Sequence, residues 1–250
     1  MSTMDPETRR AWLEVVSGND YDQHMAAIGQ AQVNASLVCQ MLGDHPLAPG
    51  ARLLFVGCGT GQTLDFADLD ELRRFTITFS DINPEFLAKL EGRRRRHGLE
   101  ALVVQDDLTS TQLAKRFDAV VTVLVLEHID WKVGVDTILG YGPRYLHFII
   151  QQQEPQAAEL SLDRELPPSI REFKSVARPR LLSRADLQSY LEKRGVSLAR
   201  VYERPVPDAK TMVGLVFVPQ SRRGDTLAPR ELSDFEHLRY SPISRATRSG

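Results

Sequence analysis

The hydrophobic residues of this chain gather in short apolar runs, which are separated by longer amphipathic stretches. Runs of this kind, when polar and turn-forming residues bound them, are typical of strands that are buried in a sheet. Five such runs predict strands over residues 53–56, 75–79, 101–105, 117–126 and 145–151. Two later runs alternate apolar and polar residues and predict a further pair of strands over residues 196–202 and 211–218.

The part of the chain before the first strand is predicted to be helical. Asp5 and Pro6 suit a helix cap and a first helical turn, so a short helix is expected from Asp5 to Val16. After the break at Gly18 and Asn19, apolar residues recur at helical spacing and predict a second helix. Its apolar face consists of Met25, Ile28, Ala31, Ala35, Val38, Cys39 and Leu42.

Three glycines at alternate positions follow the first strand: Gly57, Gly59 and Gly61. The pattern predicts a tight turn that opens a helix, where backbone amides approach a ligand without hindrance from side chains. A dinucleotide fingerprint would have glycine at position 62, and Gln62 stands there instead, which weakens a pyrophosphate interpretation. The sequence therefore predicts a nucleotide-cofactor loop, and the alternative is a glycine-rich turn with no ligand.

This loop resembles motif I of the class I S-adenosylmethionine (SAM)-dependent methyltransferases. The string VLEHI over residues 125–129 resembles the motif that follows the fourth strand in many of those that act on small molecules. The resemblance covers residues 53–218 and implies an α/β fold: a Rossmann-like seven-stranded, mostly parallel sheet with a terminal antiparallel hairpin and helices on both faces. One departure is Phe55, where many members have an acidic residue, and we assign Phe55 no role.

An acidic residue lies 20 positions after Gly61, at the tip of the second predicted strand. A carboxylate there, Asp81, can accept hydrogen bonds from both ribose hydroxyls of a nucleotide. The alternative is that Asp81 only begins the next helix, ahead of Asn83 and Pro84.

The resemblance implies further residues of a SAM site. Asp106 or Asp107 would contact the adenine amino group, or one of them would cap a helix that starts near Thr109. The remaining expected cofactor-binding residues are Cys58, Ile82, Leu108 and Glu127.

His128 is the candidate catalytic residue, because a histidine can take a proton near neutral pH. It would act as a general base or orient the substrate, and the alternative is that it packs beside the cofactor without proton chemistry. No set of acids and histidines has the spacing of metal ligands, so no metal is expected.

Composition narrows the class of protein further. The chain has 250 residues, of which 42% are hydrophobic and 26% charged, which fits one globular domain. The net charge is −2, so no basic field of the kind that attracts nucleic acid is expected. The arginines of residues 93–96 are predicted to end a helix before Gly98. Two cysteines and no apolar run of membrane length favour a reduced, cytoplasmic protein.

We expect three parts: an N-terminal helical cap (1–45), a SAM-binding methyltransferase domain (46–219) with an acceptor-pocket insertion (152–180), and a loosely held C-terminal tail (220–250). In the cap, Tyr21, His24, Gln30 and Gln32 either face the site or are polar surface residues.

The predicted function is transfer of a methyl group from SAM to an oxygen, nitrogen or sulfur atom of a small molecule. The alternatives are a methyltransferase that acts on RNA or protein and a SAM-binding protein without catalysis. The sequence leaves open the acceptor and the oligomeric state, a homodimer included.

Overall fold

The computed structural model describes residues 4–113, 116–153, 166–177, 180–207 and 210–220. Its centre is a seven-stranded sheet with the strand order β3-β2-β1-β4-β5-β7-β6. The strands are β1 (Arg52–Val56), β2 (Thr76–Asp81), β3 (Ala101–Gln105), β4 (Ala119–Val123), β5 (Tyr145–Gln153), β6 (Val196–Val206) and β7 (Lys210–Pro219). The first five strands pair in parallel, and β7 runs antiparallel to both β5 and β6. The predicted Rossmann-like sheet with its terminal hairpin is confirmed.

Eight α-helices are described around this sheet. They are α1 (Pro6–Arg10), α2 (Gly18–Ala27), α3 (Gln30–Asp44), α4 (Leu69–Leu72), α5 (Pro84–Arg96), α6 (Trp131–Gly140), α7 (Pro168–Val176) and α8 (Arg184–Glu192). A π-helical turn (Ala11–Val15) continues α1 directly. Among the residues that are described, no helix combines the length and apolar character needed to cross a membrane.

Helices cover both faces of the sheet, because successive side chains along each strand point to opposite faces and both sets are apolar. Leu53 and Phe55 of β1 lie in one apolar cluster, together with residues of α3 and α5. Leu54 and Val56 lie in a second cluster on the opposite face, together with residues of α6 and α8. The prediction of helices on both faces is therefore confirmed.

The single helix predicted from Met25 to Leu42 is wrong, since two helices occupy this stretch. Gly29 separates α2 from α3 and has a φ of +64°, a left-handed conformation that interrupts a right-handed helix. After this break α3 lies on the sheet and contacts β5, β6 and β7, while α2 contacts α7 and α5. The expected N-terminal cap thus has an outer part, α1 to α2, and a part packed against the sheet, α3.

The helix predicted after the glycine loop is also different from what is observed. A 3-10 helix (Gln62–Asp65) follows Gly61, and α4 is only a single turn. The Asp68 side chain accepts hydrogen bonds from the amides of Asp70 and Glu71, which caps a new helix rather than continuing the first. No long helix begins at the glycine loop, so the helix dipole that the sequence predicted there is not part of the site.

The fourth strand ends at Val123, three residues before the predicted end. Leu124 has a φ of +56°, which turns the chain out of the sheet, and a 3-10 helix (Leu126–His128) follows. Two expectations fall largely on residues outside those described: the tail beyond position 220, and the parts of the acceptor-pocket insertion at 154–165 and 178–179.

Candidate functional site

A cavity opens where the carboxyl ends of β1, β2, β3 and β4 meet, the edge at which open α/β sheets bind their ligands. We call it the cofactor cavity. Its wall contains the predicted residues Gly57, Gly59, Asp81, Ile82, Asp106, Asp107, Leu108 and His128. It also contains residues that the sequence analysis did not single out for the site: Met4, Trp12, Met25, Val56, Phe86, Val123, Leu124, Val125 and Ile129.

The glycine loop approaches its surroundings so closely that side chains are excluded. Gly57 has a φ of +60°, and a Cβ atom at this position would overlap Cγ2 of Val125. Glycine is therefore required at Gly57 both for its conformation and for space. The amide of Gly59 donates a 2.8 Å hydrogen bond to Oδ2 of Asp81, which joins the loop to the tip of β2.

Asp81 is buried, and both of its carboxylate oxygens accept backbone hydrogen bonds. Oδ2 binds the Gly59 amide, and Oδ1 binds the Asn83 amide at 2.9 Å. Burial raises the pKa of Asp81, although these hydrogen bonds act in the opposite direction. The cap of α5 is Asn83, whose Oδ1 accepts from the amides of Glu85 and Phe86. Asp81 is thus free of a capping role and lies on the cavity wall.

The acidic pair after β3 is held by local hydrogen bonds. Asp106 accepts from Oγ1 of Thr111 at 2.7 Å and from the amide of Gln112 at 2.9 Å. Asp107 accepts from the amide of Thr109 at 2.9 Å and so caps the 3-10 helix Leu108–Ser110. Both residues line the cavity, and the capping role that the sequence left open belongs to Asp107.

His128 lies among aromatic rings. Its imidazole is edge-on to Trp12, with 5.0 Å between ring centroids, and 6.1 Å from the ring of Phe173. Nδ1 is buried and has no hydrogen-bond partner among the described residues. Burial lowers the pKa of His128 to about 4, so the imidazole is neutral at physiological pH.

Glu127 is close in sequence to His128 but is not on the wall of the cofactor cavity. Its Oε1 accepts a 3.1 Å hydrogen bond from the amide of Gln151, and Oε2 is buried without a partner among the described residues. Burial raises the pKa of Glu127 to about 7. Its predicted contact with the cofactor stays a prediction.

A second cavity lies next to the first, between the glycine loop and α3, and we call it the inner cavity. Cys58 and Gly61 line this second cavity and not the first. Gly57 and Tyr21 line both, so the two cavities meet at the glycine loop. The predicted loop residues are therefore divided between two adjoining spaces.

The polar residues expected in the N-terminal cap have different surroundings. Tyr21 lines the cavities, and its ring lies 3.5 Å from the position that a Cβ atom of Gly59 would occupy. Gln30 is buried and donates to Sδ of Met212, whereas Gln32 is exposed. His24 is half-buried.

The arginines near the end of α5 are engaged in ion pairs. Arg93 pairs with Asp22 and Asp65, both at 2.8 Å, and Arg94 pairs with Glu91 at 2.6 Å. The Asp22 pair ties α2 of the cap to α5. Among the described residues, no group of three or more histidines, cysteines or acids is placed to hold a metal ion.

A mostly parallel sheet of this order, with a glycine-lined cavity beyond its strand ends, is the arrangement of Rossmann-like proteins, which bind nucleotide cofactors at this place. Residues 54–139 match the family model described as "Methyltransferase domain". By this similarity, residues 54–139 of the chain are a methyltransferase domain. A search of curated proteins found no match to the sequence.

Solved structures with a similar fold include the magnesium protoporphyrin IX methyltransferase of Synechocystis PCC 6803 with bound SAH. It is 17% identical, with a TM-score of 0.59 over 75% of this chain and 83% of that one. A SAM-dependent methyltransferase from Clostridium acetobutylicum ATCC 824 is 13% identical, with a TM-score of 0.59 over 80% and 98%. A geranyl diphosphate methyltransferase in complex with GPP and sinefungin is 12% identical, with a TM-score of 0.55 over 74% and 76%. At these identities the likeness is one of fold.

Proposed function

We propose that this methyltransferase transfers the methyl group of SAM to an oxygen, nitrogen or sulfur atom of a small molecule. When bound, SAM supplies a methyl group on a positively charged sulfur, so the leaving group is already activated. The protein has three remaining tasks, which are to align the acceptor, to exclude water and to hold the proton that the acceptor loses.

The residues of the cofactor cavity fit an adenosyl ligand. Gly57 and Gly59 line this cavity without side chains of their own, so a ligand can approach the loop backbone there. Asp81 supplies carboxylate oxygens for ribose hydroxyls, and Ile82 and Leu108 supply apolar contacts for a base. Asp106 offers an acceptor beside them. Asp106 or Asp107 would accept from the adenine amino group, and each carboxylate would do so beside the hydrogen bonds it already accepts.

The observation that carries the proposed acceptor class is the cover over the cofactor cavity. Met4 and Trp12 form part of its wall, and Arg9 lies 3.4 Å from Oδ2 of Asp107. The ring of Trp12 packs against that of Phe173 of α7, with 4.4 Å between their centroids, so α7 supports this part of the cover. Side chains that cover part of the cavity in this way favour a small acceptor over RNA or a folded protein. The magnesium protoporphyrin IX and geranyl diphosphate enzymes of similar fold also act on small molecules.

His128 is the residue proposed to meet the acceptor. Its imidazole lies on the cavity wall, where one ring nitrogen would accept a hydrogen bond from the acceptor; Nδ1 has no partner among the described residues. With a pKa of about 4 it is a weaker base than free imidazole. Its proposed task is to orient the acceptor through that hydrogen bond and to receive a proton only as the methyl group transfers.

The first experiment measures binding of SAM and of its demethylated product, S-adenosylhomocysteine (SAH), by calorimetry. We expect micromolar dissociation constants or tighter. Asp81→Asn keeps the shape of the side chain but has only one acceptor oxygen for its two backbone donors and the ribose. It should weaken SAH binding about tenfold or more. Asp136→Asn, in an exposed ion pair with Arg194 far along the chain, is the matched control and should leave binding unchanged.

The second experiment identifies the acceptor class. Labelled SAM is incubated with metabolite extracts, with total RNA and with total protein, and the label is sought in low-molecular-weight products. Label that enters RNA or protein, with activity that falls steeply as salt is added, would refute the small-molecule proposal. Binding of SAM without any transfer would support the non-catalytic alternative.

A further inference from the structure

Asp22 of α2 lies at the centre of a polar network that connects the cap with the rest of the molecule. Its carboxylate accepts hydrogen bonds from Oγ1 of Thr60 at 2.5 Å, from Nζ of Lys89 at 2.9 Å and from Nη2 of Arg93 at 2.8 Å. Its backbone oxygen accepts another from Nε2 of Gln62 at 2.9 Å. One residue of the cap therefore binds both the glycine loop and α5.

The glycine loop is held through Thr60, which stands between Gly59 and Gly61 and is fully buried. The hydroxyl of Thr60 donates to Asp22, and its backbone oxygen accepts a 2.7 Å hydrogen bond from Nη1 of Arg93. Since Arg93 also pairs with Asp22, the three residues form a closed ring of hydrogen bonds. Neither Asp22 nor Arg93 lines the cofactor cavity or the inner cavity, so these contacts fix the loop without occupying space for a ligand.

The ion pairs of this network are shielded from water. The side chains of Arg93 and Asp22 are 12% and 18% exposed, whereas those of the surface pair Arg10 and Glu14 are 76% and 65% exposed. Exposed pairs contribute little, while shielded ones are less screened by salt, and their charge-assisted hydrogen bonds are the stronger kind. Loss of the Asp22 charge should therefore have a measurable effect.

Tyr21 precedes Asp22 in α2 and lies beside the cavities. Its ring carbon Cε1 is 3.5 Å from the position that a Cβ atom of Gly59 would occupy, and the residue lines both cavities. The ring also packs against Phe86 and Trp12, with 5.0 Å and 6.3 Å between centroids. Because Tyr21 and Asp22 are adjacent in one helix, the contact of Asp22 with the loop also holds Tyr21 on the cavity wall.

We propose that Asp22 is a positioning residue that couples α2 to cofactor binding: by binding Thr60, it holds the glycine loop and Tyr21 together around the bound ligand. The inference rests on the proposed function, because it assumes an adenosyl cofactor in the cofactor cavity. Coupling of this kind is reciprocal, so the ligand must stabilise α2 as much as α2 strengthens ligand binding. Both effects can be measured.

The first measurement is calorimetry of SAH binding by the full chain and by two variants. Asp22→Asn keeps the shape of the side chain but removes its charge, and should weaken SAH binding about tenfold. The amide of Gly18 still binds Oε1 of Glu85 in this variant, so the start of α2 keeps its own attachment to α5.

Asp65→Asn is the matched control, because it breaks a second ion pair of the same arginine. Oδ2 of Asp65 accepts a 2.8 Å hydrogen bond from Nε of Arg93, and Asp65 lines neither cavity. This variant leaves the contact between Asp22 and Thr60 in place. It should bind SAH within about threefold of the wild-type affinity.

The second measurement is amide hydrogen exchange by mass spectrometry, with SAH at a concentration that saturates each protein. In the wild type and in Asp65→Asn, SAH should slow exchange in α2, residues 18–27, as well as in the glycine loop. In Asp22→Asn the slowing in the loop should remain, while that in α2 should be reduced about threefold or more. A general loss of stability would not confine the change to α2.

Thr60 tests the same hydrogen bond from its donor. Thr60→Val keeps the shape of the side chain without the hydroxyl and should weaken SAH binding about three- to tenfold, whereas Thr60→Ser should restore the affinity to within about threefold of wild type. Because Asp22 and Thr60 act through one bond, Asp22→Asn combined with Thr60→Val should bind SAH no more than about twofold more weakly than Asp22→Asn alone.

The outcomes separate this inference from the proposed function. If SAH does not bind the wild-type protein, the cofactor assignment fails and the proposed function with it. If SAH binds and the Asp22→Asn and Asp65→Asn variants have equal affinities, the coupling is refuted while the function stands. Equal protection of α2 in these two variants refutes it as well. Should Asp22→Asn not fold, the Thr60 variants decide, because equal affinities of Thr60→Val and Thr60→Ser would contradict a role for this bond.

Discussion

The side-chain amide of Asn83 donates a 2.7 Å hydrogen bond to the backbone oxygen of Trp12. The same residue caps α5 through Oδ1 and donates its own amide to Asp81. Trp12 belongs to the π-helical turn, in which the amide of Val16 donates to the oxygen of Ala11 five residues earlier. One asparagine therefore connects the cover of the cavity with the carboxylate proposed to hold the ribose.

This connection leads to a first prediction, on Asn83→Asp. The carboxylate retains the oxygen that caps α5 but loses the donor to Trp12, and it places a negative charge beside that backbone oxygen. We expect loss of stability of about 1–2 kcal/mol and a rise in the KM for the acceptor that exceeds any change in SAH affinity. Urea unfolding and steady-state kinetics measure the two effects. A variant whose KM and kcat both equal those of wild type would show that the bond does not hold the cover.

A second prediction compares two glycines with nearly the same backbone conformation. Gly57 has a φ of +60° and Gly98 a φ of +59°, so alanine should cost about 1 kcal/mol of stability at either position. At Gly98 nothing lies within 4 Å of the added methyl group, whereas at Gly57 it meets Val125. Gly57→Ala should abolish SAH binding, and Gly98→Ala should preserve it. Calorimetry of both variants makes the comparison, and equal binding by the two would contradict the close approach at the loop.

The third prediction concerns pH and His128. Burial holds its pKa at about 4, below the ordinary value, so the neutral form is present throughout the physiological range. Activity should therefore show no ionisation of this histidine between pH 6 and 8, and should fall as the pH approaches about 4.

His128→Phe preserves an aromatic ring beside Trp12 but has no nitrogen. We expect a fall in kcat of about tenfold or more, with SAH affinity changed less than threefold. If the turnover of this variant equals that of the wild type at every pH, His128 has only the packing role that the sequence left open.

The fourth prediction concerns stability and a histidine far from the proposed site. His147 of β5 is fully buried, and neither ring nitrogen has a partner among the described residues. The rings of His45 and Tyr145 lie near it, each with 6.0 Å between centroids. Burial lowers the pKa of His147 to about 3. Below about pH 6.5, the ordinary pKa of histidine, the unfolded chain therefore binds a proton at His147 that the folded protein does not bind.

Because of this difference in proton binding, the free energy of unfolding is highest above about pH 6.5. It falls by roughly 1.4 kcal/mol per pH unit as the pH drops from there towards about 3. His147→Leu removes the titrating group and two unsatisfied nitrogens. We expect the variant to be at least as stable as wild type at pH 7.5 and clearly more stable at pH 5. Urea unfolding at both values provides the measurement. An equal loss of stability on acidification in the two proteins would rule out His147 as its source.

Much of the fold could be predicted from the sequence, because strands that are buried on both faces must be apolar along their whole length. The run at 101–105 coincides with β3, and the runs that begin at 53 and 145 lie within β1 and β5. Local signals at helix ends were equally clear. Asp5 and Asn83 each cap a helix through side-chain oxygens. Such signals depend on neighbours within a few residues and need no tertiary information.

Errors arose where a local pattern was compatible with more than one backbone path. The apolar positions from Met25 to Leu42 keep helical spacing across Gly29, so periodicity alone did not reveal the change of direction there. The apolar run after Ala119 continues through Leu126, yet the chain leaves the sheet at Leu124 because the turn to His128 begins there. In both cases packing against distant elements determined the path.

The sequence by itself determined the order of strands along the chain, the glycine loop and the acidic residue at the tip of the second strand, because each is encoded by residues close in sequence. Only the tertiary structure decided that Trp12 lines the cavity, that Asp107 rather than Asp106 caps a helix, and that Oδ1 of Asn34 is buried without a hydrogen-bond partner among the described residues. Burial and contacts between distant elements arise when the sheet and its helices pack together, so no local pattern of residues specifies them.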